Sequence, residues 1–268
     1  MKVFISADIE GVTTTTLWDE TDPAHKSYPL HAKQMTDEVL ACIEGAKSAG
    51  ATEIVVRDAH GYAPTNIDPT RMPSGVTLIR NWSGHPYTMV LGVDKTFDAA
   101  FFIGYHSAAS RSGNPLSHTM SGKLSYIKIN GEIASEFTVY SYACALEGVP
   151  TVFLSGDKML CEDSKNLHPS LVTCAVKDGV GAATINYSIE DTVKSIKELS
   201  ETALKQDLGN ALVELPNNFK VELCYKDHTQ AERASWYSGV KRESECIVSF
   251  ESDDYFEILR SLKWILWQ

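Results

Sequence analysis

Asp8 and Glu10 stand two residues apart in SADIEG, and Asp58 and His60 stand two apart in RDAHG. His106 closes FFIGYH, His118 follows in PLSHTM, and Glu132 and Glu136 lie in NGEIASEF. Carboxylates mixed with imidazoles are the donor set of zinc and similar divalent ions. Like charges held a few ångströms apart repel unless a cation or a shared proton lies between them. A metal is therefore the chemistry these residues point to as a set, although no compact H-E-x-x-H or paired-cysteine motif accompanies them. Each residue also has a plainer reading. Asp8 suits the N-terminus of a following helix and Glu10 a solvated loop. His60 suits a turn, with Asp58 as its hydrogen-bond partner, and His106 and His118 suit satisfied structural histidines. Glu132 and Glu136 suit an exposed helix face.

The elements that must position these groups are strands and helices in alternation. Strand-like runs recur at VFISAD, TEIVVRDAH, AAFFIGYH, SYIKIN and VPTVFLSGD. Between them, HAKQMTDEVLACIEGAKSAG carries Met35, Val39, Cys42 and Ile43 at helical spacing and stops at Gly50. GEIASEFTVYSYACALEG predicts a second helix, and SIEDTVKSIKELSETALKQ a third with Ser188 as N-cap. The alternation predicts an α/β class: a three-layer α/β/α domain with a mostly parallel sheet. After PNNF the texture changes to strand, helix, strand, helix, which predicts a smaller C-terminal α+β domain. The boundary falls near residue 188, giving about 1–187 and 188–268. In an open α/β sheet ligands bind beyond the carboxyl ends of the strands, where Asp8, Glu10, Asp58, His60 and His106 fall.

The 268 residues are enough for one large or two small domains. A net charge of −11 argues against nucleic acid, whose binders carry a basic face. No apolar run approaches a membrane span, and the N-terminal stretch lacks the layout of a signal peptide. The six scattered cysteines suit reduced thiols, so a cytoplasmic location is expected. His25, His31, His85, His168 and His228 read as surface or structural residues, and Asp253–Asp254 and Glu162–Asp163 as solvated faces. There is no G-x-S-x-G elbow, phosphate loop or dinucleotide fingerprint.

In order along the chain, SADIEG, VRDAHG, FIGYH with LSHTM, NGEIASEF and AVKDGVGAATIN resemble the DppA-like D-aminopeptidases, first named dipeptide transport proteins. The resemblance covers about the first 190 residues. It implies a dinuclear zinc site in which Asp8 bridges the ions, Glu10 and His60 complete one side, and His106 and Glu136 the other. His118 matches the family's catalytic histidine, while Glu132 falls where the motif varies. The family further implies a metal-activated water, short peptide substrates with an N-terminal D-residue, and a homo-oligomer of two stacked pentameric rings. TTTTLWDETDPAHKSYP departs from the family loop after the first motif, and SAASRSGNPLS between the two histidines differs in detail. Both bear on substrate range, since such loops shape access. The expected activity is a zinc-dependent aminopeptidase; a dinuclear amidohydrolase on a non-peptide amide and a non-catalytic peptide-binding protein are the alternatives.

Overall fold

The computed structural model describes residues 1–61 and 64–267. The chain runs β1 (Lys2–Ala7), α1 (Tyr28–Ser48), β2 (Glu53–Asp58), β3 (Val76–Ile79), β4 (Ala99–Tyr105), β5 (Leu124–Ile129) and β6 (Glu132–Ile133). It continues with α2 (Glu136–Leu146), β7 (Thr151–Asp157), α3 (Lys158–Leu167), β8 (Val172–Val180), β9 (Ala183–Asn186) and α4 (Ile189–Leu204). Last come β10 (Phe219–Tyr225), α5 (His228–Ser235), β11 (Lys241–Arg242), β12 (Ile247–Ser252) and α6 (Tyr255–Leu266).

Seven strands form one sheet in the order β3-β2-β1-β4-β7-β8-β9, parallel except for the β8–β9 hairpin. Its centre is buried on both faces: every residue of β4 and β7 is inaccessible. That is why these strands read as continuous apolar runs instead of alternating ones. The two faces are nevertheless distinct. Val3, Ile5 and Ala7 share a core with Met35, Val39 and Cys42 of α1 and Ile196 and Ala203 of α4. Phe4 points the other way, into a core with Phe137 and Tyr140 of α2 and Leu259 and Leu262 of α6. The three-layer expectation holds.

The second sheet is antiparallel, in the order β11-β12-β10-β5-β6. Layer membership and chain order interleave. β5 and β6 join this sheet from before residue 188, and α4, after it, packs on α1. Ser188 caps α4, its hydroxyl accepting from the Asp191 N–H. The segment predicted as one helix from Gly131 divides: Glu132 and Ile133 form β6, and the helix starts at Glu136. The cause is local, because the Ser135 hydroxyl accepts from the Thr138 N–H and so fixes the first turn there.

Candidate metal centre

Asp8 and Glu10 lie just past β1, which ends at Ala7. The chain turns here against β4: Asp8 N–H donates to the Ile103 carbonyl at 2.9 Å and Gly11 N–H to the Gly104 carbonyl at 2.7 Å. A Cβ on Gly11 would lie 1.8 Å from the Tyr105 carbonyl oxygen, and one on Gly104, at φ +68°, 2.4 Å from the Asp8 carbonyl oxygen. Two glycines at this crossing let the backbones touch, which brings Glu10 back beside Asp8. His60 follows β2, His106 follows β4 directly, and Glu136 opens α2. A carboxylate at a helix N-terminus faces unpaired N–H groups and the positive end of the helix dipole.

These side chains converge. His60 Nδ1 is 2.8 Å from Glu10 Oε2 and 3.3 Å from Asp8 Oδ1. His106 Nε2 is 3.4 Å from Glu136 Oε2 and 3.6 Å from Asp8 Oδ2, so the two Asp8 oxygens face opposite sides. His118 Nε2 is 3.4 Å from Glu136 Oε1, and its ring stacks on His106 with centroids 4.4 Å apart. Three ligand-type groups result, each with donor atoms within 4.8 Å of one another: Asp8, Glu10 and His60; Asp8, His106 and Glu136; Glu10, His106 and His118.

The histidines show what belongs between them. His60 Nε2 meets the Thr21 carbonyl at 3.3 Å, His106 Nδ1 the Ser107 carbonyl at 3.0 Å, and His118 Nδ1 the Leu116 carbonyl at 2.9 Å. A carbonyl only accepts, so it assigns the ring N–H to that nitrogen. The opposite nitrogen of each neutral ring then aims a lone pair at the carboxylates. Glu10 Oε2 and His106 Nε2 are buried with no hydrogen bond of acceptable geometry. Lone pairs facing lone pairs in a buried site call for positive charge between them, a second proton on the rings or a metal ion, and ligating histidines are held by this kind of second hydrogen bond. The donor set fits zinc.

The charges point the same way. Burial, and then Glu10, push the Asp8 carboxyl well above the usual carboxylate range. Burial would raise Glu10 too, but His60 outweighs it and holds that carboxyl well below its ordinary value. Burial opposes a charged His106, yet Glu136, Glu10 and Asp8 together push it up to about 10. Three buried carboxylates thus call for positive charge, from protons or from a metal.

The comparisons with known proteins bear on the chain as a whole. A family model described as D-aminopeptidase matches residues 1–264. The chain belongs to the D-aminopeptidase family. A D-aminopeptidase of Bacillus subtilis (strain 168) is 27% identical over 266 residues, covering 98% of this chain and 95% of the relative. A solved structure, the Zn-dependent D-aminopeptidase DppA from Bacillus subtilis, a self-compartmentalizing protease, matches with a TM-score of 0.91. Its identity is 26%, over 99% of this chain and 96% of that one.

Within this D-aminopeptidase fold, all six residues singled out by the motifs gather in one place. Two other candidates do not. Asp58 accepts from Asn66 Nδ2 and the Ile67 N–H, bracing a loop instead of partnering His60. Glu132 is exposed on β6. Sequence reasoning missed the groups that aim the turn. Lys177, fully buried on β8, donates from Nζ to the Glu10 carbonyl at 2.6 Å and also to the Thr15 carbonyl. Asn114 Nδ2 donates to the same Glu10 carbonyl at 3.0 Å, and the Met120 N–H donates to Glu136 Oε1 at 2.6 Å. The signal for Lys177 was a lysine directly after the apolar run CAV, beside Asp178, inside a strand. A lysine is almost never fully buried without a polar partner.

Proposed function

We propose that this chain is a zinc-dependent aminopeptidase that cleaves short peptides or amides bearing an N-terminal D-residue. The observation that carries it is the set of imidazole lone pairs aimed at three buried carboxylates, in a chain of the D-aminopeptidase family. In this reading Asp8, Glu10 and His60 would hold one ion, and Asp8, His106 and Glu136 would hold a second. Zinc bound there supplies Lewis acidity, lowering the pKa of water and polarising the scissile carbonyl.

The chain's own groups do the rest. A cavity of about 310 Å³ opens over Asp8, Glu10, His60, His118 and Glu136. That is near the lower end of ligand pockets, roughly 300–1,000 Å³, and suits a peptide of a few residues. With the carboxylates committed to the ions, the substrate's free α-amine would be recognised at this cluster in its neutral form, which suits attack at the N-terminus. His118, anchored through Nδ1, presents Nε2 to the cavity and moves a proton there as general acid or base. The preference for a D-residue is taken from the family.

A homo-oligomer, with two stacked pentameric rings as its specific form, is part of the proposal; the self-compartmentalizing relative supports it. A cytoplasmic location is proposed on the six free thiols. Among the described residues no helix is long and apolar enough to cross a membrane. The test is metal content per chain after purification without chelators, followed by hydrolysis of D- and L-aminoacyl amides. About two zinc equivalents per chain with turnover of the D-amides is the expected result. Background metal that persists after zinc is supplied overturns the site.

A further inference from the structure

The cavity above the carboxylates has two chemically different parts. Its polar side is the carboxylate and imidazole cluster, and its other walls are Trp18, Trp82, Met89, Met120 and Trp267. The Trp18 indole is 51% accessible, so the cavity can reach its face. The indole is not loosely placed. Its ring meets the His118 ring edge-on, centroids 5.3 Å apart. Its loop is tied at Glu20, whose Oε2 accepts from the N–H groups of Thr16 and Leu17 at 2.6 and 2.9 Å. The loop is tied again where the Thr16 and Thr184 hydroxyls pair at 2.6 Å.

The facing wall is equally fixed. Trp82 Nε1 donates to the Gly61 carbonyl at 2.7 Å, and the buried Arg57 guanidinium lies 4.5 Å from its ring centroid. Met120 sits in the left-handed region at φ +60°, held by its N–H bond to Glu136. A peptide whose α-amine and carbonyl sit at the polar side lays its first side chain toward the indole and thioether walls. A methyl group covers little of that surface, whereas an aromatic or branched side chain covers it and gains sulfur–aromatic and ring–ring contacts.

We propose that Trp18, Trp82 and Met120 form a subsite that selects substrates whose N-terminal residue is aromatic or bulky aliphatic over alanine. The inference rests on the aminopeptidase reading above. The test compares kcat/KM of the zinc-loaded protein for phenylalaninamide, leucinamide and alaninamide, each as D and L enantiomers. Within the enantiomer that turns over, the larger amides are expected to lead alaninamide by about tenfold or more, the scale a fitted apolar pocket supplies. Trp18→Ala and Trp82→Ala lower that ratio, and Trp18→Phe keeps most of it. A calorimetric arm measures phenylalaninol against alaninol, two amines that cannot be hydrolysed, on the same protein. Equal or better use of alaninamide, with equal binding of the two amino alcohols, overturns the subsite. If no amide turns over, the aminopeptidase reading fails and the binding arm alone decides the subsite: tighter phenylalaninol upholds it, equal affinity rejects it.

Discussion

At the scale of single residues, the proposed centre separates groups that would hold charge from one that would move it. Asp8 has one oxygen toward His60 and the other toward His106, so both halves of the site share it. On the proposed two-ion reading, Asp8→Ala is expected to lose both ions together, read by elemental analysis of the purified variant. Retention of one full equivalent would show that the halves are independent. His118 Nε2 lies 3.4 Å from Glu136, with a Glu10 oxygen within 4.8 Å of a ring nitrogen, and borders the open cavity. His118→Ala should keep its metal while kcat falls by about 10²–10⁴-fold, the usual worth of a positioned acid–base group. Near-normal turnover in that variant would remove His118 from the mechanism. These two residues were legible in the sequence because their motifs are local. Lys177 and Asn114 were not, since each reaches the Glu10 carbonyl from more than a hundred residues away in the chain.

At the scale of elements, the site depends on how closely β1 and β4 run at their carboxyl ends. Gly11→Ala would drive a methyl into the Tyr105 carbonyl, where backbone on both sides leaves nothing flexible to move. A loss on the order of 3 kcal/mol is expected, as for overpacking in a core, with weakened zinc binding alongside. Urea unfolding with and without zinc measures both; wild-type stability would mean the crossing relaxes. Lys177→Met tests the other support. It leaves the Thr15 carbonyl without its lysine donor and Glu10 with Asn114 alone, so zinc affinity should drop about 10–100-fold, as for lost partners behind a metal ligand. The strands that carry the candidate ligands announced themselves by apolar runs ending in acids and histidines. The second sheet was harder to see. β5 has the same composition as the parallel strands, and only its pairing with β10, distant in sequence, assigns it to the other layer. Short strands such as β3 and β6 carry too few residues for a period to register.

At the scale of the whole molecule, the layers are joined behind the site by buried charge. Glu38 of α1 accepts from the Thr13 N–H at 3.0 Å and from Gln34 Nε2 at 3.2 Å through one oxygen, while its other oxygen has no partner. Burial pushes this carboxyl from an ordinary 4.5 up to about 7 despite Lys177 nearby, which burial in turn pulls down to about 8. The sign of the consequence follows. Between about pH 4.5 and 7 the unfolded chain has released the Glu38 proton and the folded chain still holds it. Folding stability therefore falls as pH rises through this window and levels off above it. Glu38→Gln keeps an acceptor for Thr13 and removes the proton, so its stability should lack this component. The wild type is expected to lose on the order of 3 kcal/mol relative to the variant from pH 4.5 to 7, at about 1.4 kcal/mol per pH unit. Urea midpoints of both proteins, measured at matched pH and saturating zinc, cancel the pH dependence of the metal ligands common to both. Parallel curves would mean that Glu38 is ionised in the folded molecule. Glu38, which accepts from the Thr13 N–H of the turn after β1, would then be a carboxylate stabilised by the field of Lys177 instead of a neutral acid.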